Sequence, residues 1–250
     1  MKNMSSGIIV AAFLLSTVTA QEKPTQEKAE QKESAQKPNP SINEKFLSND
    51  LDVAEWLGRF EIESREVYAH QDRVLDNCGI QPGQTVADIG AGTGFYVRRF
   101  AEAVGSDGWV YAVDIAPRFL QHINTQAHDD NIANLTTVLC SEQNVRLPPK
   151  SVDVAFICDT YHHFEHHEAT LASLHLAMRD GGLLNVVDFE RIPGKSREFI
   201  LGHVRAGKEV FRAEIEAAGF EFVKEVTIPG FEENYFLQFR KGAKPTVVSP

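Results

Sequence analysis

Apolar residues fall into short runs along most of this chain, and the runs are separated by longer stretches with helical spacing. The short apolar runs predict buried strands, and the longer amphipathic stretches predict helices. The alternation begins after Gly83 and indicates a mainly parallel sheet with crossover helices. The predicted strands cover residues 86–89, 109–113, 135–139, 152–158 and 183–188.

The end of the chain departs from this alternation. A helical segment is predicted from about residue 196 to residue 218, with a potential break at Gly207. Two further strands are predicted at residues 221–228 and 235–240. The segment between them carries Pro and Gly, which is typical of a hairpin connection. We therefore expect the sheet to end in an antiparallel pair.

The two ends of the chain carry patterns that do not belong to a packed domain. A short basic start, an apolar core and small residues before a cleavage point predict a signal peptide at residues 1–20, and hence export to a periplasmic or extracytoplasmic location. If this segment is not cleaved, it predicts a membrane anchor instead. Residues 21–40 are rich in Gln, Lys, Glu and Pro and predict a disordered linker, and residues 242–250 predict a disordered tail.

Composition narrows the class of protein. The 250 residues carry a formal net charge of −10 without any cluster of Lys or Arg, which argues against nucleic-acid binding through a basic face. An apolar content of 42% is enough for one domain of about 200 residues. Cys140 and Cys158 fall in apolar strand runs and are predicted to be buried small side chains.

The most informative segment is Val86-Ala-Asp-Ile-Gly-Ala-Gly-Thr-Gly94, where an apolar strand runs into three glycines spaced two apart. Glycines at a strand–helix turn allow positive φ and let a ligand approach the backbone. The helix predicted at residues 95–104 adds exposed N–H donors. A dinucleotide fingerprint would need glycine where Phe95 stands, and no Gly-Lys-Ser/Thr of a phosphate loop follows. A second acid, Asp114, ends the next strand, where doubly wound sheets bind ligands.

The D-x-G-x-G-x-G pattern, with Asp114 one strand–helix unit later, resembles the cofactor motifs of class I S-adenosylmethionine (SAM) dependent methyltransferases. The resemblance implies a Rossmann-like α/β domain at residues 81–241. Its mainly parallel seven-stranded sheet would have helices on both faces and a C-terminal antiparallel hairpin. The resemblance also implies that residues 41–80, which look helical, form a lid over the cofactor.

The same resemblance implies SAM as the cofactor. Asp88 is expected to orient the methionine end of SAM, Asp114 to accept hydrogen bonds from the ribose hydroxyls, and Glu142 to accept one from the adenine amine. The expected cofactor-binding set is Asp88, Gly90, Ala91, Gly92, Thr93, Gly94, Asp114, Ile115 and Glu142. Four residues of the lid are either lid and substrate residues or, as we favour, part of a solvated helix face with ion pairs: Arg59, Glu63, Arg65 and Tyr68.

The segment Asp159-Thr-Tyr-His-His-Phe-Glu-His-His167 directly follows the fourth predicted strand and resembles the polar-aromatic motif that the family carries near the transferred methyl group. His163 or His162 is the expected general base, if the acceptor must lose a proton. Asp159 or Tyr161 is expected to orient the substrate or the methionine amine. Alternatively, a helix here would present the pairs His162/His166 and His163/His167 to a metal ion. No H-E-x-x-H pattern appears, and we assign no metal ligand.

The expected function is SAM-dependent methyl transfer to an unidentified small-molecule acceptor by in-line displacement. The pattern is nearest to the broad group that acts on quinones, sterols and similar acceptors. No nucleic-acid partner is expected, and membrane association is expected only through an uncleaved N-terminal segment. The alternative is an exported, non-catalytic SAM fold or a His-cluster metal-binding module, since SAM is made in the cytosol whereas the signal peptide predicts export.

Overall fold

The computed structural model describes Met1, residues 42–63 and residues 65–243. Except for Met1, the predicted signal peptide and linker lie outside the described residues, as does the tail from residue 244. The signal peptide and the export that it implies therefore stay predictions. Within the described ranges, no helix is both long enough and apolar enough to cross a membrane.

Seven strands form a mixed sheet in the order β3-β2-β1-β4-β5-β7-β6. Strands β1 to β5 pair in parallel, and β7 pairs antiparallel with both β5 and β6. This confirms the predicted fold class and its antiparallel C-terminal pair. The strands are β1 (Thr85–Ile89), β2 (Trp109–Asp114), β3 (Leu135–Leu139), β4 (Val152–Cys158), β5 (Met178–Phe189), β6 (Phe220–Glu225) and β7 (Asn234–Lys241).

Helices cover the sheet connections and the segment before β1. The helices of the described residues are α1 (Glu44–Leu47), α2 (Val53–Phe60), α3 (Glu66–Ala69), α4 (Gln71–Asn77), α5 (Phe95–Val104), α6 (Pro117–Asp129), α7 (His167–Ala177), α8 (Glu198–His203) and α9 (Lys208–Ala217). The predicted break at Gly207 is confirmed, because this glycine is the extended N-cap of α9. The predicted strand at 183–188 begins too late: β5 starts at Met178, and the exposed residues 179–181 interrupt its apolar run.

Two apolar layers pack on opposite faces of the sheet, and the alternation of β1 shows how one strand serves both. Ala87 and Ile89 belong to the layer under α7 and α9, whereas Val86 belongs to the layer with α4 and α5. Both faces of the parallel strands are therefore buried. The order of the strands across the sheet changes direction between β1 and β4, since β2 and β3 follow on one side and β5 on the other. In such sheets, ligands bind at this point, beyond the carboxyl ends of the strands.

Candidate functional site

The glycine loop, residues 90–94, connects β1 to α5. Gly90 and Gly92 have φ values of +80° and +53°, which favour glycine. A Cβ at Gly90 would stand 2.3 Å from the Thr160 side chain, so this position has no room for any side chain. Both glycines line a cavity of about 350 Å³, within the usual range of about 300–1,000 Å³ for small-molecule sites. The backbone of the loop is therefore open to a ligand in that cavity.

Asp114 lies at the carboxyl end of β2 and faces the same cavity, together with Ile115. Its two carboxylate oxygens accept hydrogen bonds from the backbone N–H of Gly92 and of Ala116, each at 2.8 Å. Burial raises the pKa of Asp114 to about 6, although these backbone hydrogen bonds act in the opposite direction. At neutral pH the cavity thus contains an ionised acceptor that is fixed in position by the glycine loop.

The other predicted loop residues are placed differently. Asp88 is 3% exposed and does not line the cavity, and burial together with the nearby Asp114 raises its pKa to about 8. Thr93 donates a hydrogen bond to Glu61 at 2.9 Å. Ala91 and Gly94 also lie outside the cavity lining. The predicted contact of Asp88 with the methionine end of SAM therefore stays a prediction.

Side chains from the N-terminal helices α1 and α2 and from α6 form an aromatic wall of the cavity, which consists of Phe46, Trp56, Phe60 and Phe119. The ring centroid of Trp56 lies 4.8 Å from that of Phe46 and 5.0 Å from that of Phe60. A Cβ at Gly92 would stand 3.4 Å from the Phe60 ring, so the wall reaches the glycine loop. The segment before β1 is thus part of the site.

The four predicted lid residues divide into two pairs. Arg59 and Arg65 line the cavity. Arg59 also forms an exposed ion pair with Glu55 at 2.5 Å, as expected for a solvated helix face. Glu63 is exposed, and Tyr68 stacks on Phe95 with a centroid distance of 4.9 Å, outside the cavity lining.

Asp159 directly follows β4 and lines the cavity with a positive φ of +46°. Its carboxylate accepts hydrogen bonds from the Arg65 guanidinium and from Asn234 Nδ2, the latter at 2.7 Å. Burial raises the pKa of Asp159 from its ordinary value, against the opposing effect of Arg65. The carboxylate therefore joins the lid segment to the start of β7 across the cavity.

Three imidazoles form a histidine cluster at the other end of the cavity, consisting of His162, His163 and His203. His162 Nδ1 lies 2.7 Å from Asp188 Oδ1, and His163 Nε2 lies 3.3 Å from His203 Nε2. Burial lowers the pKa of His163 far below its usual value, and the neighbouring imidazoles lower it further. Burial also lowers the pKa of His203 to about 4. His163 and His203 are therefore neutral at pH 7.

Tyr161 is not part of the cavity, although it begins the same 3₁₀ turn as the two histidines. It is fully buried, and its hydroxyl donates to Glu214 Oε2 at 2.9 Å. Arg205 holds that carboxylate in a bidentate ion pair. The Tyr161 side chain is thus directed into the contact between the sheet and α9, away from the lining of the cavity.

The prediction that one helix presents the histidine pairs 162/166 and 163/167 is wrong. The 3₁₀ turn ends at His163, and α7 begins only at His167. His166 is exposed, and the ring of His167 lies 3.7 Å from Glu214. The two pairs therefore do not share a helical face.

Glu142 follows β3 and lines the cavity, as expected for a residue near the adenine. Asn43 Nδ2 donates to it at 3.3 Å. Asn43 and His203 are site residues that the sequence did not reveal. They are 160 positions apart along the chain (203 − 43) and stand in no motif, so no local pattern could have linked them.

These residues fit SAM on three observations of the structure. The glycine loop approaches the cavity with bare backbone, Asp114 offers an ionised pair of oxygens next to it, and the aromatic wall lines the same cavity. Asp114 would hold the ribose hydroxyls, while Gly90 and Gly92 would let the cofactor lie against the backbone. This arrangement defines the class of protein as a Rossmann-like methyltransferase fold.

Comparison with known proteins agrees with this fold. Residues 86–182 match the family model described as a methyltransferase domain. The ubiquinone/menaquinone biosynthesis C-methyltransferase UbiE of Burkholderia cenocepacia is 29% identical over 118 residues, which cover 47% of this chain and 48% of that protein. The corresponding enzyme of Cupriavidus taiwanensis is 27% identical over the same length. The chain thus spans about half the length of the curated relatives that it matches.

Solved structures show the same architecture. A SAM-dependent methyltransferase from Aquifex aeolicus superimposes with a TM-score of 0.67 and 21% identity, over 76% of this chain and 98% of that one. Phosphoethanolamine N-methyltransferase 2 of Haemonchus contortus, in complex with SAM, gives a TM-score of 0.66 and 15% identity, over 81% of this chain and 60% of that one. Together these matches support a class I SAM-dependent methyltransferase domain in this chain, with SAM as its cofactor.

Proposed function

We propose that this protein transfers the methyl group of SAM to a small, flat, apolar acceptor that carries an oxygen on its ring. The observation that carries this proposal is the lining of one cavity. The glycine loop, Asp114, the aromatic wall and the histidine cluster all line it, together with charged side chains such as Arg65 and Asp159. A ring can stack against aromatic side chains, and a hydroxyl finds neutral imidazole nitrogens within the same cavity.

The curated relatives support a ring as acceptor. Their name places them in ubiquinone and menaquinone biosynthesis as C-methyltransferases. The aromatic wall of this chain has the chemistry that such a flat molecule would need.

SAM, when bound, supplies a methyl group on a positively charged sulfur, which an electron-rich acceptor atom displaces in line. The residues of the chain then have three tasks. Asp114 fixes the cofactor through its ribose, and the aromatic wall orients the acceptor and excludes water, which accounts for much of the rate in such reactions. The neutral imidazoles of His163 and His203 can accept a hydrogen bond from an acceptor hydroxyl and so orient it.

The chain offers a matched pair of variants to test the acceptor class, because it contains two tryptophans. Trp56 belongs to the aromatic wall, whereas Trp109 is 38% exposed at the start of β2. Full-length protein would be incubated with SAM and a panel of hydroquinones and phenols, with phosphoethanolamine as a flexible amine for comparison. Release of S-adenosylhomocysteine (SAH) would be measured.

We expect methyl transfer to ring acceptors. Trp56→Ala should raise KM for them roughly two- to tenfold through lost ring contacts, and Trp109→Ala should leave KM unchanged. Transfer to phosphoethanolamine alone would overturn the ring acceptor. SAH binding without transfer to any member of the panel would count against the whole proposed activity.

A further inference from the structure

The histidine cluster has the spacing of a metal site. One ring nitrogen of each of His162, His163 and His203 lies within 4.8 Å of the others. Nε2 of His163 and Nε2 of His203 are 3.3 Å apart. Two imidazole nitrogens that each stand about 2.0–2.1 Å from a tetrahedral zinc ion are about 3.3 Å apart. This pair of nitrogens is thus already at the distance that a shared ion requires.

Hydrogen bonds on the outer side of two rings direct their lone pairs inward. Asn43 Nδ2 donates to the His163 carbonyl at 3.2 Å, which leaves Asn43 Oδ1 to accept from His163 Nδ1 at 3.1 Å. His162 Nδ1 donates in the same way to Asp188 Oδ1 at 2.7 Å. In both rings Nε2 is therefore the nitrogen that remains for a further ligand. A carboxylate or amide oxygen that holds the far nitrogen of an imidazole is the usual second shell of a metal-binding histidine.

We propose that His162, His163 and His203 bind one divalent transition-metal ion of the zinc class, with a fourth coordination position open to the cavity. Three imidazoles and an open position are the ligand set of a catalytic rather than a structural zinc site. Imidazole nitrogens favour zinc, iron, nickel and copper over magnesium and calcium. Asp188 and Glu142 add negative charge around the cluster, and the Lys45 ammonium opposes the ion from the lid side.

The open position gives the ion a role in the reaction, and this role, unlike metal binding itself, rests on the proposed function. An acceptor hydroxyl that takes the fourth position would bind through its oxygen, and its proton would leave to solvent. Metal coordination lowers the pKa of a bound hydroxyl by several units. The acceptor would then be held as an oxyanion inside the aromatic wall.

Metal binding can be measured without any activity. Full-length protein, purified without a polyhistidine tag, would be analysed by elemental analysis and titrated with Zn²⁺ against a chromogenic chelator. Binding of Co²⁺ would be followed by its visible spectrum, which reports coordination number. The variants are His203→Ala, which removes a ligand, Asn43→Ala, which removes a second-shell partner, and His166→Ala, an exposed histidine outside the cluster. Circular dichroism and thermal unfolding would check that each variant is folded.

We expect one Zn²⁺ per chain and a four-coordinate Co²⁺ spectrum. Asn43→Ala should weaken zinc binding about 10- to 100-fold, as second-shell changes do, and His203→Ala should weaken it further still. His166→Ala should bind as tightly as the unchanged protein. Sub-stoichiometric binding of zinc, cobalt, iron, nickel and copper alike, or binding that survives His203→Ala, would overturn the proposal. Metal binding without methyl transfer would refute the proposed function alone, and methyl transfer by metal-free protein would refute the role of the ion.

Discussion

Replacing Asp114 by Asn tests the cofactor site most directly, because the change keeps the shape of the side chain and removes its charge. Both carboxylate oxygens lie at 2.8 Å from backbone N–H groups, so the side chain is fixed before any ligand arrives. Hydrogen bonds to a charged group contribute about 1.5–3 kcal/mol. Losing that contribution to the ribose hydroxyls corresponds to a roughly tenfold to somewhat over a hundredfold weaker affinity for SAM or SAH.

The assay is a calorimetric titration of the full-length protein with SAH at pH 8, where Asp114 is ionised because its pKa is about 6. Asp107→Asn is the matched control, since Asp107 is an exposed carboxylate in the loop before β2. We expect the control to bind SAH like the unchanged protein. An Asp114→Asn variant that binds SAH within twofold of the unchanged protein would refute the assignment of this residue to the ribose.

The pKa of Asp114 also predicts how the affinity for SAH depends on pH. Ribose hydroxyls donate to the ionised carboxylate, so protonation of Asp114 competes with binding. Affinity for SAH should therefore rise by up to tenfold per pH unit as the pH increases toward about 6, and should level off above it. Asp114→Asn should lack this rise. An equal pH dependence in both proteins would show that another group is responsible.

Gly90 in the glycine loop and Asp88 near the end of β1 each affect the stability of the fold in a way that can be measured. In urea unfolding, Gly90→Ala should lower the free energy of unfolding by about 1–3 kcal/mol more than Gly83→Ala. The two glycines share a φ near +80°, but an added Cβ meets Thr160 only at Gly90. Equal losses of stability in the two variants would contradict the steric argument. Folding raises the pKa of Asp88 to about 8 from an unfolded value near 4. The contribution of this group to the free energy of unfolding should therefore be greatest below about pH 4. It should be lost as the pH rises through about 8. Asp88→Asn should flatten this fall, as measured from unfolding midpoints at pH 5 and pH 8, and parallel profiles would be inconsistent with an uncharged Asp88 in the folded state.

Local patterns in the sequence predicted the elements that depend on neighbouring residues. The glycine loop and the helix at 95–104 were predicted to the residue, because apolar periodicity and glycine spacing are both local properties. β5 was predicted too short because its polar first residues hide a pairing with β4 that only the tertiary structure defines. Strand register and edge extension are set by the partner strand rather than by composition.

The reaction end of the site was harder to predict for the same reason. The sequence drew attention to His162 and His163 but gave His203 no motif, and the third imidazole arrives through the packing of α8. Tyr161 stands next to these histidines, yet a 3₁₀ turn directs it to Glu214. Side-chain direction in a short turn depends on one or two backbone angles, which composition does not specify.

The antiparallel position of β7 within the sheet has a consequence for folding during synthesis on the ribosome. Asn234, its first residue, pairs with Phe189 and bonds to Asp159, which is 75 positions earlier in the chain. Because β7 lies between β5 and β6, a growing polypeptide on the ribosome can form the last two strand pairings of the sheet only after β7 has been synthesised. Asp159 would lack this partner in a nascent chain that ends before residue 234. The part of the cavity at Asp159 is therefore completed later in synthesis than the glycine loop and Asp114, which come from the first two strands.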